Sequence, residues 1–446
     1  MAKIKPLEGL VYDKEKVGDI GKTLAPPYDV ITPEMQDDLY KRHENNVVRL
    51  ILGKENSSDS DTDNRYTRAA KDFADFKSAG VLKKDLPAIY FYVQKFTSPD
   101  GREITRRGFL GRFRIEDYGK GGIHAHEKTL SGPKTDRLNL TKACKANFSP
   151  IFGLFAEAQG EELINDILDK AKEGDPTIDA IGDDGVRNLV WPITDEATIN
   201  KVTDIMADKD MFIADGHHRY DTALNYRNLM REANPGFTGD EPFNFVLMYF
   251  ASMVDKGLEI FPIHRVIHSL SVFDVDSFLE KCQEHFHIDE LQFEGGDEAD
   301  TRSDLLKRLE GKGDNIRFGV FIKGTQSYLL FTLKDKTVMD DILGKDTAEV
   351  YKTLDVSVLH SLILEKMLGI TKEAQANKTN IIYRKDLPTA LSEVNSGTGQ
   401  LVFIMNSTKI EQVREVSEAG LLMPQKSTFF YPKILSGLVI NPLSDD

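Results

Sequence analysis

The chain has 446 residues and a formal net charge of −15, from 57 Lys and Arg against 72 Asp and Glu. The length points to two or three domains, and 40% hydrophobic with 29% charged residues excludes a chain that is mostly disordered. No stretch approaches the roughly 18 consecutive apolar residues of a membrane span, and the acidic excess argues against generic binding of duplex DNA.

Read for periodicity, the chain alternates helical and strand patterns, an α/β or mixed α+β fold. Val47, Val48, Leu50 and Ile51 make a short β-branched run closed by Gly53, and Glu55–Asp63 reads as an exposed loop. The next segment places Tyr66, Ala69, Ala70, Phe73 and Phe76 on one face of a helix. Ala88–Phe96 and Ile104–Ile115 are strand-like and flank Ser98-Pro99-Asp100-Gly101, a turn that predicts a hairpin. Residues 119–150 lose the periodicity and read as a long Gly-, His- and Lys-rich loop, a kind of segment that is often functional. Regular patterns resume with the strand Ile151–Phe155, a helix near 160–173, the strand Leu189–Pro192 and a helix near 195–207.

Met211–Ile213 then runs into AlaAspGlyHisHisArgTyr at 214–220, and Thr222, Ala223, Tyr226 and Met230 continue as a helix stopped by Asn234-Pro235-Gly236. Strands Phe245–Ser252 and Leu258–Pro262 follow, then a helix from about 274. Phe318–Ile322 and Tyr328–Leu333 form a second hairpin pattern. Val358, Leu359, Leu362, Ile363 and Met367 give a helix face with Asp355 or Ser357 placed to cap it. Ile381–Arg384 and Leu401–Met405 are short buried strands. The PGFTGDEP stretch predicts a boundary near 238, between an N-terminal α/β region (1–238) and a C-terminal α/β domain (239–446).

Cys144 and Cys282 are too few for a disulfide framework or a thiolate zinc site. MAKIKPLEGL lacks the apolar segment of a signal peptide, so a cytoplasmic protein is expected. Neither membrane nor nucleic acid is expected as a partner, and a homo-oligomer is left open.

The sharpest motif is Asp215-Gly216-His217-His218-Arg219. An apolar strand enters an Asp-Gly turn, and a helix begins at or just after the histidines. Such a start leaves backbone N–H groups converging on one spot, with the positive end of the helix dipole behind them. Arg219 and two imidazoles make the spot suit a phosphate, and Gly216 lets the backbone approach it closely. The plainer alternative is that Asp215 caps the helix while the histidines satisfy buried carbonyls.

A second cluster runs from His124 through His126, Glu127, Lys128 and Thr129 to Lys134, Asp136 and Arg137. Glu127 is a candidate general base, and Lys134 and Arg137 could neutralise phosphoryl oxygens; the alternative is a solvated polar loop. A zinc site built from His124, His126, His217 and His218 with Asp215 or Glu127 competes. It lacks HExxH spacing, and adjacent helical histidines diverge by about 100°. Three weaker features are Tyr28 in the rigid APPYDV segment, Lys426-Ser427-Thr428 with Lys433, and Arg265 at a strand exit. They read as a turn, a strand-end or capping segment that is no P-loop, and a cation that could pair with a site carboxylate.

Pro26–Val30, HEKTLSGPKTDRLNL at 126–140, KANFSPIFGL at 145–154, ADGHHRY at 214–220 and MPQKSTFFYPK at 423–433 together resemble a family catalogued as a domain of unknown function (family one thousand and fifteen). More distantly, the Asp-Gly-His-His-Arg box is similar to the phosphate-binding box of the ParB/sulfiredoxin superfamily. Its free-serine kinases carry an upstream His-Glu pair, and His126-Glu127 repeats that order here. The resemblance implies a ParB/sulfiredoxin-like nucleotide-binding core with large N- and C-terminal additions. It implies a kinase that converts free L-serine to O-phospho-L-serine with ATP or ADP and Mg²⁺.

On the same resemblance Glu127 is the base, Gly216, His217, His218 and Arg219 hold the phosphates, and Asp215 orients the nucleophile or holds Mg²⁺. Lys134 and Arg137 are expected on the nucleotide, and His126, Thr129 and Tyr28 on the small amino-acid substrate. Asp215 follows Glu127 by 88 residues, so the elements between them read as an insertion. Two other classes stay open. One is a ParB-like nucleotide-binding regulator, for which no basic helix-turn-helix segment is present. The other is a metal-dependent hydrolase.

Overall fold

The computed structural model describes every residue except 1–2, 100, 121, 128, 130, 158–162, 294–296, 311–314 and 445–446. The chain divides into two compact units. The first is Met1–Ala125, Thr129–Glu259 and Pro432–Asp446; the second is His126–Lys128 and Ile260–Tyr431.

A nine-stranded mixed sheet organises the first unit. Its order is Ile123–His124, Met211–Asp215, Ile151–Phe155, Phe245–Ser252, Glu103–Arg114, Ile89–Thr97, Arg187–Ile193 and Ile178–Ile181, with Ile4–Lys5 also paired to Glu103–Arg114. The hairpin expected around residues 98–101 forms, with Thr97 opposite Glu103, although Asp100 lies outside the described residues. Phe245–Ser252 lies between Glu103–Arg114 and Ile151–Phe155, and all eight of its residues are buried. An unbroken apolar run is what a strand covered on both faces requires. This strand explains why the first unit continues to Glu259, past the boundary expected near 238. PGFTGDEP instead joins the helix His217–Ala233 to that strand inside one unit.

Two helical segments depart from the sequence patterns. Val48–Ile51 is a helical turn, not the strand its β-branched residues suggest; Val47, Val48, Leu50 and Ile51 are all buried in one cluster with Phe73 and Phe76. Burial decides here over intrinsic preference. Within the long loop expected over 119–150, Ser131–Cys144 is a helix packed against His217–Ala233. Pro133 is tolerated because it falls in the first turn. The inward face mixes Leu140 and Cys144 with the buried polar residues Arg137 and Thr141, so no apolar period marks it.

The second unit has a six-stranded antiparallel sheet ordered Phe286–Gln292, Ser327–Leu333, Arg317–Ile322, Leu401–Ile404, His264–Ile267 and Ile381–Arg384. Apolar clusters fill both faces, one around Phe278, Phe318, Phe331 and Leu362, the other around Leu305, Leu330, Leu391 and Val402. Asp355 and Ser357 do not cap the helix they begin. Leu354 precedes it without a side-chain cap, and burial pushes the Asp355 carboxyl up to about 6. Among the described residues no helix is long and apolar enough to cross a membrane.

Candidate active site

Strand Met211–Asp215 ends with a register shift between Ile213 and Asp215, a bulge that re-aims the last side chain. Gly216 follows at φ +93° and caps the helix His217–Ala233, with no side chain of its own to bond the helix start. The first amides of that helix therefore have no intrahelical partner and carry the positive end of its dipole. A Cβ on Gly216 would lie 2.9 Å from Arg219 Nε. Gly216→Ala is thus expected to cost about 1–2 kcal/mol of stability through the left-handed backbone and to push the guanidinium aside. Thermal unfolding together with a nucleotide titration checks this; wild-type behaviour in both would remove Gly216 from the site.

The carboxylate of Asp215 is held on both sides. Arg219 Nη2 donates to Oδ2 at 2.6 Å, and Lys433 Nζ bonds Oδ1. Burial alone would raise the Asp215 pKa, but the charges of Lys433 and Arg219 outweigh it and hold the carboxyl well below the usual carboxylate range. Arg219 also donates to the Pro150 carbonyl. Lys433 arrives from the returning C-terminal segment, whose backbone is pinned where Arg106 Nη2 donates to the Pro432 carbonyl at 2.5 Å and Gln94 Nε2 to the Lys433 carbonyl at 3.1 Å.

Asp215 therefore does not fit the Mg²⁺ expected there, because each oxygen already faces a cation and a divalent ion would be repelled. Nor does it cap the helix. It orients two cations at the helix start. Among the described residues no group of three His, Cys, Asp or Glu side chains converges as metal ligands would. His124 stacks on Phe212, with ring centroids 4.8 Å apart, and its Nε2 lies 3.4 Å from Asp210.

Tyr28 and Arg137 join Arg219 around a cavity of about 50 Å³, whose wall also includes Asn147, Ser149 and Thr222. That volume suits waters or a small ion group, not a whole nucleotide. The Arg137 guanidinium lies 4.0 Å from the centre of the Tyr28 ring. Burial raises the Tyr28 pKa, against the opposing charges of Arg137 and Arg219. Arg137 is itself engaged, donating to Asp136 at 2.7 Å and to the Ile51 carbonyl at 2.6 Å, so it braces the cavity wall.

Thr129 and Lys134 meet at Asp221, which the sequence patterns did not single out. Thr129 Oγ1 donates to Oδ2 at 2.6 Å, Lys134 Nζ lies 3.6 Å from the same oxygen, and Tyr118 donates to Oδ1 at 2.8 Å. Asp221 lies four residues after His217 on the same helix face, the spacing that could have marked it. Neither Thr129 nor Lys134 is therefore a loose group in this state.

His126 and Glu127 belong to the second unit. His126 is buried, its Nε2 is 3.0 Å from Thr428 Oγ1, and its carbonyl accepts from the Met423 amide at 2.7 Å. Glu127 forms a parallel bridge with Met423, so the 423–428 segment fixes the backbone that carries the expected base. His126 acts as a strut in this arrangement. Lys128 lies outside the described residues.

A family model described as "Protein of unknown function (DUF1015)" matches residues 4–357. A comparison with curated proteins returns no match. Among solved structures, the chain is similar to a mutant free serine kinase in complex with AMP, at 13% identity and a TM-score of 0.34, over 69% of this chain and 84% of that one. It is also similar to a conserved hypothetical protein from Pyrococcus furiosus (14%, TM-score 0.31, 70% and 89%). A third is SbnI with a C-terminal truncation from Staphylococcus aureus (10%, TM-score 0.33, 73% and 85%).

Proposed function

The chain belongs to the DUF1015 family, and from that premise we propose that it is a small-molecule kinase that transfers a phosphoryl group from ATP or ADP to the hydroxyl of free L-serine. The observation that carries this reading is the helix start behind the left-handed Gly216, flanked by Arg219 and Lys433. A helix N-terminus, its dipole and two held cations are what a nucleotide's terminal phosphates require. Phosphoryl transfer asks little covalent chemistry of a protein; it asks for position and for charge on the equatorial oxygens.

In this reading Glu127 takes the proton of the serine hydroxyl as that oxygen bonds to phosphorus. The bond from phosphorus to the nucleotide's bridging oxygen breaks, releasing ADP from ATP or AMP from ADP. His217, His218 and Arg219 hold the phosphates, and Asp215 keeps Arg219 and Lys433 aimed.

Phosphorus NMR with L-serine and ATP or ADP in separate tubes tests the proposal. A new resonance matching added O-phosphoserine is expected with one donor. No turnover with either would overturn the kinase reading. Arg219→Ala is expected to weaken nucleotide binding by about 10- to 100-fold, the range for a lost charge-assisted contact. Unchanged affinity by calorimetry would sink the phosphate assignment.

A further inference from the structure

Arg265 lies on the strand His264–Ile267, directly across from Tyr383 on Ile381–Arg384. The Arg265 side chain is buried, with 2% of the residue exposed. Its guanidinium carbon sits 5.6 Å from the centre of the Tyr383 ring. One terminal nitrogen donates to the Ile263 carbonyl and the other to the Lys426 carbonyl, the latter at 3.0 Å. Both partners are neutral. Among the described residues no carboxylate pairs with Arg265, and its buried Nε has no hydrogen-bond partner.

A buried guanidinium without an anion is costly, which is why buried charges are ordinarily paired. Burial pushes this one down to about 10, with Tyr383 opposing the shift. The nearby imidazoles supply no negative charge: burial, then Arg265 itself, push His264 down to about 4 and His360 to about 3, so both are neutral near pH 7. The Tyr383 hydroxyl is also buried without a hydrogen-bond partner, although the residue as a whole is half-buried. Two orphaned donors, one of them charged, thus lie on a cross-strand pair beneath a partly exposed residue.

Within the same unit this pair adjoins the segment that bears Glu127. Lys426, at φ +58°, gives its carbonyl to Arg265, and two residues later Thr428 bonds His126. Tyr383 also lies within the field of the Glu127 charge.

We propose that Arg265 and Tyr383 form an anion subsite for the carboxylate of the acceptor, making the substrate class small hydroxy acids or hydroxy amino acids. Oxygens of one carboxylate accept from Arg265 Nε and the Tyr383 hydroxyl, which satisfies both orphaned groups and supplies the missing charge. The subsite rests on the kinase reading for its place in catalysis, but not for its binding chemistry.

The test compares L-serine with L-serinamide, which keeps the hydroxyl and the ammonium and lacks the carboxylate. With wild-type protein, KM for L-serinamide is expected to be about 10- to 100-fold higher than for L-serine. Tyr383→Phe is expected to raise KM for L-serine several-fold while leaving that for L-serinamide unchanged, so the discrimination shrinks. Equal KM values for the two compounds, with turnover intact, would overturn the subsite and leave the kinase reading standing. If neither compound turns over, calorimetry without nucleotide decides. Binding of L-serine over L-serinamide that Tyr383→Phe weakens upholds the subsite while the kinase reading fails. No preference between them overturns the subsite as well.

Discussion

Glu127→Gln is expected to lower phosphoryl transfer to L-serine by about 10²- to 10⁴-fold, the range for a general base in the transition state. The amide preserves the shape of the side chain but cannot accept the hydroxyl proton. Nucleotide affinity should change little, because Glu127 belongs to the 126–128 segment, whereas the proposed phosphate contacts lie at 216–219 and Lys433. A kcat loss without a change in nucleotide Kd is therefore the signature. Near-wild-type turnover would remove Glu127 as the base. The backbone of 126–127 is held by Met423 and the ring of His126 by Thr428, contacts the substitution leaves in place, and thermal unfolding of the variant separates a catalytic loss from a folding one.

Asp215→Asn should act mainly on stability. It leaves Arg219 and Lys433 without their shared carboxylate at a position with 16% side-chain exposure. Breaking a buried ion pair in this way costs about 3–5 kcal/mol, measurable by urea unfolding. Inorganic pyrophosphate should restore more stability to the variant than to the wild type, since it replaces the lost negative charge.

The pH dependence follows from the same contacts. The folded pKa of Asp215 lies below its ordinary value of 3.8, so its contribution is complete above about pH 4 and declines as pH falls further. The stability gap between wild type and variant should therefore be constant near neutrality and narrow only below about pH 4. A gap that widened on acidification would contradict a depressed carboxyl.

Local sequence patterns determined much of the first unit's frame. Phe245–Ala251 is an unbroken apolar run in a strand buried throughout, the 98–101 turn joins the expected hairpin, and MFI followed by Asp-Gly delivers a strand into a helix. These features are local, written in short-range periodicity and turn chemistry. For the same reason the Asp-Gly-His-His-Arg box was legible as a strand–turn–helix start. Its requirement for a left-handed glycine is a property of one residue.

What neighbours the box was decided by tertiary structure. Lys433 reaches Asp215 from 218 residues away, and Asp221 is met by Thr129 and by Lys134 of another helix. The helix Ser131–Cys144 left no apolar period because its buried face includes Arg137, satisfied by Asp136, the Ile51 carbonyl and the Tyr28 ring. Arg265 looked like a cation awaiting a site carboxylate, yet the fold gives it two carbonyls and a ring. Charges are placed by the long-range packing that desolvates them, and the partner each charge finds depends on which segments the fold brings past it.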